Sequence, residues 1–512
     1  MWSGRVFVIS ATALFCLPLL AEDKPAPIQI GGEKQLFIDE LFFADKRGVA
    51  RVMNQPVKDH QPVLTADKDN PWEANRISAG NSVVDDNGEI RIYYDAIAPS
   101  PGDRSRWLCC AVSRDGIHFE KPKLGIIPFE GRSDTNIVWP PKQNPSHEPG
   151  NVFVDTNPKC PAEERYKMVS GSLASATGTT MAVSADGLHW KAYEKSSYPQ
   201  ADTTIAAFFD NRIGRYVGWV RVPGNGRAVG RCEFDDPRDW GAATRVFHAD
   251  EEDVRYLDKA LFNGMDYYCG GVNAYRPAPG IYFGFPAAYY HFHREASLRR
   301  GRGGTRSPGN DGNIEAQLIT SRDGIHWNRP DRGRPFIPRG PDGSWDCGMT
   351  YVCGGSNLVY RDNEVWIYYS AQPFTHGDYS LAEKEALGSV MRAVLRLDGF
   401  VSVDTGFEPG EFTTPPLVFA GTRLELNVDT GGGGSLRVEL QDAEGHSLEG
   451  FSLADCDLVN GNYIRYPVSW KGQTDLSQLA GRPVRMKVTM RATKLYAFQF
   501  PQRDTAASGV FP

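Results

Sequence analysis

Short runs in which apolar and polar residues alternate recur along the chain. A two-residue period puts one face of each run in a core and the other in solvent, which is the signature of β-strands. Examples are Glu89-Ile90-Arg91-Ile92-Tyr93-Tyr94, Arg165-Tyr166-Lys167-Met168-Val169, Arg215-Tyr216-Val217-Gly218-Trp219-Val220 and Glu364-Val365-Trp366-Ile367-Tyr368-Tyr369. Tight-turn sequences bound several of them: Asp86-Asn87-Gly88, Asn211-Arg212-Ile213-Gly214 and Arg361-Asp362-Asn363. Helix signals are few, so the pattern predicts an all-β protein.

A longer period organises these runs. Ser113-Arg114-Asp115-Gly116-Ile117-His118-Phe119 recurs as Ser184-Ala185-Asp186-Gly187-Leu188-His189-Trp190 and as Ser321-Arg322-Asp323-Gly324-Ile325-His326-Trp327. Degenerate copies are Cys232 to Trp240 and Leu397-Asp398-Gly399-Phe400. The spacing predicts five units of roughly 70 residues between Leu36 and Phe400. Short strands in such a period indicate a five-bladed β-propeller, with about four strands per blade. In the repeated element Asp-Gly supports a tight turn, Ser and Asp satisfy turn backbone groups, and the aromatic packs between blades. Copies at equivalent places in different blades do not face one centre, so His118, His189 and His326 read as structural.

The repeat stops after Phe400. Residues 410–501 hold further strand runs, such as Leu436-Arg437-Val438-Glu439-Leu440, and read as a small β-sandwich. At the other end, Arg5 and the apolar run Val6 to Leu20, closed by Ala21, read as a secretory signal peptide over residues 1–21. The expected organisation is therefore signal, propeller over 34–400 and sandwich over 410–501. Export to the periplasm or the exterior follows.

Composition narrows the picture. With 41% hydrophobic and 23% charged residues, the 512-residue chain is no disordered protein. Its 53 glycines and 35 prolines are spread along it, as many turns require. A net charge of −7 without a basic tract argues against a general nucleic-acid binder. Beyond residue 21 there is no apolar run of about 18 residues, so no membrane span is expected in the mature body. Of nine cysteines, eight remain after Cys16, with no CxxC and no Cys/His zinc spacing. Buried thiols with one or two bridges are expected, Cys347 and Cys353 being the closest non-adjacent pair.

Leu36-Phe37-Ile38-Asp39, the repeated Ser-Arg-Asp-Gly-Ile-His-Trp, Gly343-Ser344-Trp345-Asp346 and Leu395-Arg396-Leu397-Asp398-Gly399-Phe400 together resemble exported bacterial proteins related to glycoside hydrolase family 32. The resemblance covers roughly residues 34–501. It implies a five-bladed propeller followed by a β-sandwich, and action on glycosidic bonds. The chain departs from that family where its chemistry resides. It lacks the Trp-Met-Asn-Asp-Pro-like nucleophile motif, the Arg-Asp-Pro motif and the Glu-Cys acid motif. Neither the family's catalytic residues nor fructan or sucrose hydrolysis carries over.

A glycosidase in a propeller funnel needs two carboxyl groups, so the unrepeated acids near blade starts are the candidates. Asp202 opens an apolar strand, Glu315 stands just before the third motif copy, and Asp346 precedes the fifth unit's inner strand. These three are the expected catalytic carboxylates. Arg76, Glu148, Arg221, His376 and Trp345 are the expected substrate contacts, with Asn81, Arg231 and Trp72 as weaker ones. Each has a plainer reading: a strand-end acid held by backbone or an arginine, an arginine paired between blades, a packing tryptophan. An insertion over 286–313 carries Arg294, Arg299, Arg300, Arg302 and Arg306, and reads as a solvated loop or as a lid on an anionic glycan. No cofactor is expected, and no metal-ligand pattern appears; a structural calcium in the funnel stays open. The function read from this is an exported glycoside hydrolase cleaving a poly- or oligosaccharide. The alternative is a non-catalytic carbohydrate-binding propeller protein. Convergence of Asp202, Glu315 and Asp346 in one pocket favours the first; acids each bound to a cation favour the second.

Overall fold

The computed structural model describes residues 26–98, 106–140, 151–170, 180–193, 205–224, 226–300, 309–352, 354–378 and 387–502. They form a nearly all-β protein. Among them, Glu251–Arg255 and Arg294–Arg300 are the α-helical segments. No helix is long and apolar enough to cross a membrane among the described residues.

The repeat units fold as successive antiparallel sheets. The first holds Arg76–Asp86, Glu89–Ile97, Arg106–Ser113 and Ile137–Trp139, paired in chain order. The second holds Val152–Val154, Tyr166–Ser170, Thr180–Ser184 and Lys191–Ala192. The third holds Ala206–Asp210, Arg215–Gly224, Gly226–Phe234 and Thr244–His248. In the fourth, Asn273–Ala274, Tyr282–Gly284 and Ile319–Ser321 pair, and Thr320 bridges to Asn328. In the fifth, Leu358–Arg361, Glu364–Gln372 and Ser389–Arg396 pair in order. Its outer positions come from far upstream, with Val57–Lys58 and Leu64–Thr65 pairing onto Ser389–Arg396. Asn87 with Gly88 and Asp362 with Asn363 all have positive φ, the backbone of a two-residue hairpin turn whose twist matches its strands.

The repeated element is built as its sequence suggests. In all three copies one Asp oxygen accepts from the backbone N–H groups two and three residues on, at 2.8–2.9 Å, while the intervening Gly N–H donates to the Ser hydroxyl. The other oxygen meets the histidine Nδ1 at 2.7–2.8 Å. These donors hold the three aspartates well below the usual carboxylate range. The histidines point to solvent, 70–87% exposed.

Each turn also docks on the preceding sheet. A Cβ on Gly116 would lie 2.6 Å from Trp366 and Tyr368 of the fifth sheet, and one on Gly187 2.4 Å from the Tyr93 hydroxyl of the first. Gly324 abuts Trp219 of the third sheet, whose indole N–H donates to its carbonyl at 3.3 Å. The degenerate copies dock too. Arg238 reaches Glu164 of the second sheet at 3.3 Å, and Asp398 accepts from Tyr275 of the fourth at 2.7 Å. The contacts run first to fifth, second to first, third to second, fourth to third and fifth to fourth.

Two further sheets share one core beyond the repeats. One contains Asn462–Pro467, Glu425–Asp429, Lys494–Gln499, Val401–Asp404, Ala50–Met53 and Gln35–Leu36. The other contains Asp45–Arg47, Gly410–Thr413, Arg485–Arg491 and Ser435–Gln441. Phe412, Val438 and Val488 from one meet Leu426, Leu495 and Phe498 from the other in a common cluster. The segment from Leu36 to Met53, expected to open the first repeat unit, is thus part of these C-terminal sheets. Alternation along a strand fixes its faces but not its partner; here Phe37 and Phe42 pack on Phe412 and Phe498. Arg322 of the third motif copy then grips Asp39 with two bonds of 2.6 and 3.0 Å, joining the two parts.

Candidate functional site

Residues at or beside the first strands of the five sheets hydrogen-bond to one another. Asn151 carries that junction: its amide donates to Ala207 O of the third sheet at 3.0 Å and accepts from Gly355 N of the fifth at 2.6 Å. Val152 N donates to Ser82 Oγ of the first sheet, and Asn357 N to Asn273 Oδ1 of the fourth, each at 3.0 Å. Asn151, Asn273 and Asn357 are all buried. A sequence signal for this existed and was missed: Gly270-Gly271-Val272-Asn273 and Gly354-Gly355-Ser356-Asn357 are a second, shorter repeat. Gly355 leaves room for close approach, since a Cβ there would sit 3.2 Å from both Ala207 N and Val272 O.

A dense polar and aromatic cluster joins the third sheet to Phe262–Tyr267 and Ala287–Phe292, strands that continue the fifth sheet by way of Gly312–Ala316 and Met349–Tyr351. Arg227 stands at the start of Gly226–Phe234. Its guanidinium carbon lies 4.8 Å from the Tyr268 ring centre and 5.3 Å from that of Tyr289. Asp266 accepts from the Arg227 backbone and guanidinium, both at 3.0 Å, and from His291 Nε2 at 3.2 Å. Gly226 permits this: its φ is +84°, and a Cβ would fall 2.6 Å from an Asp266 oxygen. Burial acts to raise the Asp266 carboxyl, yet His291 and Arg227 hold it below its ordinary value.

His376 borders the same cluster. Its Nδ1 lies 3.1 Å from the Tyr289 hydroxyl and 3.1 Å from the Asn310 carbonyl. A carbonyl can only accept, so Nδ1 carries the proton and Nε2 is the lone-pair nitrogen. Crowding by protein atoms pushes this imidazole down to about 4, so it is neutral at pH 7. Asp311 fixes the turn that carries it, accepting from Gly312 N and Gly377 N at 2.8 Å and from Ser297 Oγ at 2.6 Å. Tyr289 is fully buried beneath the cluster, and the partly exposed Tyr268 ring, planar Arg227 cation and neutral His376 imidazole lie together over it. Such a lining can stack on a sugar ring and hydrogen-bond its hydroxyls.

The other expected residues lie as follows. Asp202 and Glu148 lie outside the described residues. Glu315 is partly buried, accepts from Arg339 N at 3.1 Å and lies 3.6 Å from Arg339 Nε. Asp346 is buried, 2.7 Å from Lys58 Nζ, with Tyr369 and Ser344 hydroxyls donating at 3.1 and 2.9 Å. Both acids therefore anchor the segment from Arg339 to Cys347, to which Arg339 adds a bond to the Cys347 carbonyl at 2.9 Å. Trp345 in that segment is 37% exposed. Arg76 starts the first sheet and bridges to Leu387 beside the fifth; Arg221 lies opposite Val229 in the third. Of the expected contacts among the described residues, His376 enters the cluster just described.

Three further differences concern this region. The insertion expected over 286–313 includes the strand Ala287–Phe292, paired with Phe262–Tyr267, and the helix Arg294–Arg300, and it ends where the strand Gly312–Ala316 begins. Arg302, Arg306 and Cys353 lie outside the described residues, and Cys347 is a free thiol. Asp95 was overlooked: it is buried, with Arg106 at 3.2 Å. Aligning Tyr93-Tyr94-Asp95 with Tyr368-Tyr369-Ser370 marks it as an acid that the fifth unit does not repeat. Among the described residues no group of three or more His, Cys, Asp or Glu is gathered as for a metal ion.

No family model matches the chain, and no curated protein matches it. Solved structures do. An N-acetylgalactosamine deacetylase from F. plautii, in complex with blood group B trisaccharide, is 17% identical with a TM-score of 0.43, over 69% of this chain and 97% of that one. The Bombyx mori GH32 beta-fructofuranosidase BmSUC1 is 11% identical with a TM-score of 0.36, over 88% of this chain and 95% of that one. The exo-inulinase from Aspergillus awamori is 11% identical with a TM-score of 0.38, over 88% and 99%. Likeness at this level carries no activity over to this chain.

Proposed function

We propose that this protein is an exported glycoside hydrolase in which the five repeat sheets are the blades of one closed propeller and the C-terminal sheets form a sandwich. The cyclic docking of the repeated turns supports the ring, and the meeting of first strands at Asn151 supports a central axis. The signal-like segment over residues 1–21 supports export. The observation that carries the carbohydrate reading is the Arg227 guanidinium held between Tyr268 and Tyr289 beside neutral His376. In this reading Tyr268 and His376 contact the sugar, buried Tyr289 backs His376 and Arg227, and Asp266 and His291 position Arg227. Asp202, which opens the third blade in the sequence, is assigned as one of the two carboxyl groups that bond cleavage requires. Glu315 and Asp346 are assigned to holding the Arg339–Cys347 segment. Trp345, Arg76, Arg221 and Glu148 are assigned to the outer rim of the substrate path.

One observation favours a second reading, a carbohydrate-binding propeller without hydrolysis. Glu315 and Asp346 are each neutralised by a cation, Arg339 and Lys58. A panel of polysaccharides and aryl glycosides separates the two. Released reducing ends, lost in Asp202→Asn, support the hydrolase. Affinity for a glycan with no product formed, lost in His376→Ala, supports the binding protein. Neither affinity nor product with any glycan overturns both.

A further inference from the structure

Away from the funnel, the second sheet places two nucleophiles in contact. Lys167, on Tyr166–Ser170, has only 1% of its side chain exposed. Its ammonium lies 2.8 Å from an Asp155 carboxylate oxygen and 2.9 Å from the Glu164 carbonyl. Its third neighbour is the sulfur of Cys160, at 3.2 Å. Cys160 is only partly buried, on a turn that precedes Ala162–Glu164. The turn is pinned by Asn157 N donating to Asp155 and by Cys160 N donating to Asn157 O, each at 2.9 Å. Asp155 is fixed in turn by the Tyr216 hydroxyl of the third sheet, at 2.6 Å. A reachable thiol and a buried amine are thus held together by a short, braced loop, with a carboxylate beside the amine.

We propose that Cys160 and Lys167 form an oxidative crosslink in which a single oxygen atom joins Sγ to Nζ. The oxidant is a peroxide, of the kind an exported protein meets in an oxidising compartment. In the first step the thiol takes one oxygen from hydrogen peroxide, giving a sulfenic acid and one water; sulfur is oxidised and the O–O bond breaks. Lys167 then loses its ammonium proton to solvent by way of Asp155. In the second step the sulfenic acid, the amine and a second peroxide give the S–O–N bridge and two waters. The sulfenic oxygen is retained, an N–O bond forms, and nitrogen is oxidised by two electrons. Over both steps thiol, amine and two peroxides yield the bridge and three waters. Burial and Asp155 push the Cys160 thiol up, and the thiolate is the reacting form, so crosslinking accelerates as pH rises.

The test treats the full chain with hydrogen peroxide, digests it unreduced with a protease that spares lysine, and reads the peptides by tandem mass spectrometry. The expected product joins the Cys160 and Lys167 peptides, with one oxygen gained and two hydrogens lost. Dithiothreitol restores the separate peptides. Cys160→Ser gives no joined product, and Lys167→Arg gives only Cys160 oxidised to sulfinic or sulfonic acid. Sulfinic or sulfonic Cys160 in the native sequence, with Lys167 in its linear peptide, overturns the proposal. So does a joined pair that lacks the added oxygen. Both readouts on the native sequence hold even where a variant fails to fold.

Discussion

The hydroxyl of Tyr368 donates to the carbonyl of Gly116 at 2.8 Å, fastening the first repeated turn to the fifth sheet. The glycine is needed twice over. Its φ is +72°, and a Cβ would lie 2.6 Å from both Trp366 and Tyr368. Gly116→Ala therefore adds a left-handed penalty to an overlap, and about 3 kcal/mol of stability is lost. Gly88 has a φ of +83° but nothing within 4 Å, so Gly88→Ala loses only about 1 kcal/mol. Tyr368→Phe gives up one hydrogen bond and costs about 1 kcal/mol. Urea midpoints of the three variants, compared at unchanged m-values, check the order.

Local chemistry was legible in the sequence, and long-range pairing was not. The Ser-x-Asp-Gly-x-His turns follow from nearest-neighbour hydrogen bonds, and all three fold alike. The fate of Leu36 depends on Ala497, its strand partner 461 positions further on, and no periodicity encodes that choice. Glu315 and Asp346 were picked out because they are unrepeated acids. Their cations come from outside their own strands: Arg339 lies beyond the following motif copy, and Lys58 is on the opposite side of the chain. His376 was visible as a lone histidine after a strand. Its neighbours Arg227, Asp266 and Tyr268 were not, because they come from two different sheets and from stretches over 100 residues upstream.

Stability should fall in acid because of His376. Its folded value of about 4 lies below its ordinary 6.5. Between these values the unfolded chain binds more protons, so stability rises with pH across that window. Falling pH thus weakens the fold from about 6.5 downwards, and the loss levels off below about 4. In His376→Gln the slope of stability against pH over this window becomes shallower. Thermal unfolding scans of both proteins at half-unit steps read it directly. Equal slopes would show that the imidazole is not held neutral.

Asp266 and Arg227 should act as one unit. The Asp266 side chain is 3% exposed and that of Arg227 21%. Asp266→Asn leaves a largely desolvated cation between two tyrosines, and about 3 kcal/mol is lost. Arg227→Gln strands the carboxylate with His291 alone and costs a similar amount. The double variant loses less than the two single losses combined, because each single variant already breaks the same pair. A double-mutant cycle in urea measures that coupling. Strict additivity would mean that the pair does not interact.

The three acids of the sequence reading should separate by phenotype. Asp346→Asn breaks a buried pair with Lys58 and lowers stability by about 3 kcal/mol. Glu315→Gln removes a more exposed contact with Arg339 and costs about 1 kcal/mol. Neither change alters the charge of the proposed sugar-contact groups. Turnover per folded molecule on a glycan substrate should therefore stay within a few-fold of the parent for both. Asp202→Asn, in contrast, should remove about three orders of magnitude of turnover, the scale expected for losing a catalytic carboxylate. Measuring turnover against the folded fraction, rather than total protein, keeps the two effects apart. If Glu315→Gln abolished turnover at full stability, Glu315 would be a catalytic acid whose bond to Arg339 opens when substrate enters.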